Sequence, residues 1–288
     1  MIVGEPFKDI LIFYDGLGNT NVSWVLDTRF DDPFPHVFTL EFSPNRAGFE
    51  SNEYSLIAEG SKVAQLSDGV FRTAGMTNTA FYRVRLTTPA GTYYSPIKGL
   101  DGNVDRSHVG LLRELLRKEA LLFRKDRGGV QGYLFKKRYY GPKCTCHDKN
   151  TATLVTNACI KCAGTGFIEG FFLGIPFPIL IENQETRNSQ ITNVGNVDIR
   201  QLSARCFANP VVDSGDLWME ADTRKVYEVG NYIVAARLSY QPVAAKIEMK
   251  ELPLVDSISL LIAATKDRDD LVGGSFTSLS IGNFHKPI

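Results

Sequence analysis

The chain has 288 residues, enough for two domains or three small ones. Hydrophobic residues make up 43% and charged residues 22%, the balance of a folded chain, which excludes disorder as its main state. Lys plus Arg number 32 and so do Asp plus Glu, so no overall basic field draws the chain to nucleic acid or to an anionic membrane surface.

The opening residues MIVGEPFKDILIFYDG lack a basic start and a long apolar run ending in small residues, so no signal peptide is expected there. The longest apolar stretch, Phe171 to Ile181, is broken by Pro176 and Pro178 and is too short to span a bilayer. No membrane partner is expected.

From Ile10 to about Ser95, short aromatic and β-branched runs are separated by turn residues. ILIFY, VSWVL and FTLEF are followed later by FYRVRL, in which Tyr82, Val84 and Leu86 lean inward and Arg83 and Arg85 outward. Alternation of period two at this spacing predicts an all-β sandwich with Trp24 as a core anchor. These runs resemble a fibronectin type III module over residues 5–97. VSWVL is similar to its early tryptophan strand, and FYRVRLTTPAGTYYSP to its late strand, hairpin and closing Ser-Pro. The resemblance implies a spacer or adhesive module.

A polar linker, Gly99 to Ser107, leads into SHVGLLRELLRKEALLFRKDRGG, which reads as one helix. Leu112, Leu115, Leu116, Leu122 and Phe123 form its apolar stripe. Ser107 is the expected N-cap, and Arg124, Lys125 and Arg127 crowd the last turn before Gly128 and Gly129. Glu114 and Lys118 have the stabilising i,i+4 orientation. GYLFKKRYY, residues 132–140, reads as a strand running into the cysteines.

Four of the five cysteines lie between Cys144 and Cys162, and Cys206 stands alone. Clustering suggests one local site, whereas a disulfide scaffold scatters its cysteines. Cys144-Thr-Cys146 and Cys159-Ile-Lys-Cys162 can set four thiolates at the corners of a tetrahedron, and the glycines after Cys162 permit a tight knuckle. Structural zinc bound by Cys144, Cys146, Cys159 and Cys162 is the expectation. His147 is a substitute ligand for the first pair. Disulfides, a redox or catalytic cysteine and an iron–sulfur cluster stay open as alternatives. Cys206, in an alternating run, is expected in the core.

Beyond the cysteines, FFLGIPFPILIE, VDIRQLSARCFA, LWMEA, KVYEVGNYIVAARLS and PVAAKIEMKEL are again short and β-rich. The reading is therefore a mainly β chain: an Ig/fibronectin III-like sandwich at 1–98, and a linker, basic helix and zinc knuckle at 99–170. A small β-barrel follows at 171–255, then a C-terminal arm at 256–288.

The neutral total hides an asymmetry. Between Arg113 and Lys143, ten basic residues face three acidic ones, a surplus of seven that the remainder cancels. Arg124, Lys125, Arg127, Lys136, Lys137 and Arg138, with aromatic residues interleaved, form a candidate surface for DNA phosphates or for an acidic neighbour. None of His36, His108, His147 and His285 lies in a catalytic motif, and Asp213 and Asp216 read as turn residues. No catalytic residue is expected, and no enzyme.

The basic helix, LFKKRYYGPKC, the knuckle ending CAGTGF and then GFFLGIPFPI together resemble structural proteins of tailed bacteriophages. NPVVDSGDLWMEADTRKVYEVGNY is similar to the small barrel of head–tail connectors. CIKCAGTGF alone is similar to the zinc repeats of DnaJ-type chaperones, which carry several copies where this chain has one. The phage resemblance covers residues 107–255. It implies a virion protein of the neck, forming a homo-oligomeric ring against portal, neck or tail proteins. The alternatives are a zinc-ribbon nucleic-acid-binding protein and a phage tail or baseplate component.

Overall fold

The computed structural model describes residues 6–14, 19–27, 35–69, 80–99, 108–146, 159–192, 195–238, 241–253 and 258. Its secondary structure is mainly antiparallel β, in three sheets. No helix among the described residues is long and apolar enough to cross a membrane.

The N-terminal module holds β1 (Phe7–Tyr14), β2 (Thr20–Leu26), β3 (Val37–Ser43), β4 (Ser55–Gly60), β5 (Gln65–Asp68), β6 (Phe81–Thr88), β7 (Gly91–Tyr94) and β8 (Lys98–Gly99). One sheet runs β1-β2-β5 and the other β4-β3-β6-β7, with β8 also on β6. Both contribute to a shared core, where Ile10, Val22 and Trp24 meet Phe38, Leu40 and Val84. The Trp24 and Phe38 rings stack at 4.4 Å. Tyr82, Val84 and Leu86 are buried, as their alternation requires. On the opposite face Arg83 and Arg85 close on Glu41, at 2.6 and 3.3 Å. Glu41 is wholly buried there, and Arg83 is flanked by the rings of Phe49, Tyr54 and Tyr94.

Helix α1 (Val109–Leu122) buries Leu112 and Leu116 with Phe123 against Phe207 and Val243, and the Phe123 and Phe207 rings meet edge-on at 4.7 Å. It ends sooner than the pattern suggests. Arg124 is extended, and a separate 3-10 turn, Lys125–Arg127, closes on Gly128 at φ 89°. The physical reason is the burial of Phe123, whose carbonyl accepts the Gln131 side chain at 2.8 Å instead of continuing the helix. Arg124, Lys125 and Arg127 are thus outside the helix, and Leu122 is exposed. Glu114 pairs with Arg117 at 3.0 Å, closer than Lys118 at 3.9 Å. Ser107 lies outside the described residues.

The third sheet contains β9 (Gly132–Phe135), β10 (Ile175–Pro176), β11 (Ile179–Thr192), β12 (Gly195–Phe207), β13 (Leu217–Glu220), β14 (Val226–Leu238) and β15 (Gln241–Glu251). Its order is β10-β9-β13-β14-β15-β12-β11. Strand β9, from before the cysteines, sits inside this sheet between β10 and β13. Val130 and Ile179 exchange backbone bonds at 2.8 and 3.0 Å, linking the β9 side to the start of β11. Trp218, Ile179, Cys206 and Ile247 fill the core, and the Trp218 indole donates to the Phe177 carbonyl at 2.9 Å. Burial pushes the Cys206 thiol up, in keeping with a core role.

Candidate metal centre

The cysteines sit at the tip of a ribbon that continues β9 and β10 outward. Lys137 bridges to Phe171, and Lys143 to Phe167. The Cys144 N–H donates to the Gly166 carbonyl at 2.8 Å, and Ile168 N–H to the Pro142 carbonyl at 2.8 Å. These bonds bring the first cysteine pair beside the second, across residues 147–158, which lie outside the described residues together with His147.

The second pair sits on a tight turn. Ala163 N–H donates to the Cys159 carbonyl at 2.7 Å, and Thr165 both N–H and hydroxyl to the Cys162 carbonyl. Ala163, Gly164 and Gly166 have φ of 48°, 75° and 83°, left-handed values that glycine adopts without a steric penalty. This conformation turns backbone N–H groups toward sulfur. The Lys161 N–H at the Cys159 sulfur pulls that thiol down to about 7. Burial pushes the Cys162 thiol up, against N–H donors from Gly166 and Gly164. The Cys146 thiol rises above the ordinary range, chiefly through its hydrogen bond with Cys162.

The geometry suits a cation. The Cys144 and Cys159 sulfurs are 3.7 Å apart, those of Cys146 and Cys162 3.3 Å, and all four lie within 4.8 Å of one another. A tetrahedron with metal–sulfur bonds of about 2.3 Å has edges of about 3.8 Å. The cysteines are free thiols, with no disulfide among them. Cys144 and Cys162 are buried, and Cys146 and Cys159 are partly exposed. Four sulfur ligands would leave a bound cation no vacant position, so such a centre holds structure together and does no hydrolysis.

Of the six candidate basic residues, Lys136 and Arg138 turn inward and the other four are exposed. Arg138 is buried, donating to the Phe171 carbonyl at 2.8 Å and pairing with Glu169 at 2.8 Å. Lys136 turns inward to Asp213 and Asp216, 2.6 Å from each, and to the Val211 carbonyl at 2.8 Å. Arg124 pairs with Asp126, and Lys125 with Asp222. Lys137 and Arg127 are exposed. Within the fold, Glu169, Asp213 and Asp216 thus answer Arg138 and Lys136, whereas Arg124, Lys125, Arg127 and Lys137 stay exposed.

Asp213 and Asp216 are indeed turn residues, and Asp216 does more than shape the turn. It is buried and accepts the backbone N–H groups of Asp213 and Lys137, each at 2.8 Å. Burial raises its carboxyl, and Lys136 opposes that rise. Tyr139 and Tyr140 are two of the aromatic residues interleaved in the basic run, and Glu169 belongs to no motif. The Tyr139 hydroxyl donates to the Trp24 carbonyl at 3.1 Å, and Tyr140 packs in the N-terminal core with Phe172. No protein-family model matches the chain, and no curated protein matches it.

Proposed function

We propose that this chain is a non-enzymatic structural protein of a tailed-bacteriophage virion, a neck or head–tail connector subunit that works in a ring of identical copies. The observation that carries the reading is a hairpin longer than its own sheet needs. Strand β12 pairs with β15 only from Gln201 to Phe207, yet β11 and β12 stay paired out to Thr192 and Gly195. A two-stranded ribbon is marginal in water by itself. Docked against the next copy, it would become a joint between unlike surfaces, the kind that makes a ring when the rotation between copies closes.

Other features support the same reading. The link between Val130 and Ile179 favours a small barrel as the ring-forming body. The division of strands into β1-β2-β5 and β4-β3-β6-β7 favours a fibronectin III-like module, which would project outward. Structural zinc at Cys144, Cys146, Cys159 and Cys162 would staple a ribbon tip with little apolar core of its own. Portal, neck or tail proteins would be its neighbours. The nucleic-acid alternative is weaker, since Lys136 and Arg138 are committed to internal carboxylates.

Electron microscopy of tailed particles carrying a tagged copy of this chain tests the assignment. A ring of density between head and tail is the expected result, and absence of the chain from purified particles contradicts it.

A further inference from the structure

We propose that the four-cysteine centre is a latch on the joint between the N-terminal module and the third sheet, so that metal loading locks the module and metal loss releases it. The inference rests on metal binding by the four cysteines and not on the phage assignment.

The joint is built from the cysteine ribbon itself. Tyr140 and Phe172, one on each strand of the ribbon, are buried among the residues of the N-terminal core. The Tyr139 hydroxyl accepts the Leu26 N–H at 3.4 Å while donating to Trp24. The Leu173 N–H donates to the Lys62 carbonyl at 3.1 Å, a backbone bond directly across the joint.

A short path joins these contacts to the sulfurs. Lys161, between the second pair of cysteines, accepts the Glu169 N–H at 2.9 Å. One Glu169 oxygen meets Lys62 at 2.5 Å, and the other meets Arg138 at 2.8 Å. Lys62 and Glu169 both have positive φ, 62° and 68°, which non-glycine residues hold only when surrounding contacts impose it. The exposed Lys62–Glu169 pair contributes little energy alone. Its importance is positional: the knuckle fixes the backbone at residues 166–171, and that backbone places Glu169, Phe172 and Leu173 against the module. Metal that binds only the closed knuckle stabilises everything that depends on its closure.

Hydrogen exchange on the full chain under reducing conditions, with zinc bound and after chelation, tests this. The expected result is a rise of roughly tenfold or more in exchange at Leu173 and across 166–171 after zinc removal, with Ala204 and Ala245 in β12 and β15 unchanged. An unchanged rate at Leu173, or equal acceleration of every strand, overturns the latch. Glu169→Gln keeps all four cysteines: it should retain its zinc while Leu173 exchanges faster, and an unaltered Leu173 rate overturns the path through Glu169. Zinc content, measured on the same samples, separates the two readings. A native chain that takes up no zinc removes the metal centre and the latch together, whereas bound zinc with an indifferent joint removes the latch alone.

Discussion

Tyr139 and Tyr232 are held protonated by burial, each pushed up to about 12. Since the unfolded phenol ionises near 10, the stability they contribute is intact below pH 10 and is lost as pH rises toward 12. Denaturant midpoints should therefore fall between pH 10 and 12, and the slope should flatten in a Tyr139→Phe, Tyr232→Phe double variant. Near pH 7, Tyr139→Phe alone removes two hydrogen bonds and should cost about 1–2 kcal/mol. The cysteines were readable as a cluster because two short spacings encode them locally. Tyr139 was not, because its partners Trp24 and Leu26 are more than a hundred residues away and nothing in either neighbourhood announces the other. Glu169 was missed for the same reason: its role depends on Lys62 and on a left-handed backbone that only the folded knuckle imposes.

At the level of elements, alternation in β6 revealed its buried face because a strand presents every second residue to the core. The end of α1 was harder to read, since the apolar stripe continues through Phe123 while the chain has already turned away to bury that ring. Strand β9 shows how packing dictates residue choice. A Cβ at Gly132 would lie 2.3 Å from the Trp218 indole, so the strand can pass only as glycine. Gly132→Ala should cost about 1–3 kcal/mol through overpacking, read from the denaturant midpoint. Lys136→Met leaves Asp216 buried without its ammonium and should cost about 3–5 kcal/mol near neutral pH. Any binding of DNA by the free subunit should change little on Lys136→Met once this stability loss is allowed for, and a salt-dependent titration checks that.

Across the whole molecule, the balanced charge total conceals a basic segment, and the fold explains where its charge goes. Glu169, Asp213, Asp216 and Asp222, all beyond that segment, pair with Arg138, Lys136 and Lys125, so part of the surplus is met from far along the chain. The two β-rich regions were legible from turn spacing. Their connection was not, because it depends on the cysteine ribbon leaving one sheet and packing its aromatic stem into the other module. The four-cysteine cluster, close enough to hold a metal ion, sits at the tip of that ribbon. Zinc-edge X-ray absorption on the full chain, purified under reducing conditions, addresses it most directly. The account predicts one zinc per chain with four sulfur neighbours at about 2.3 Å. A shell containing nitrogen or oxygen, or a chain that binds no metal while its four clustered cysteines are reduced, would contradict it.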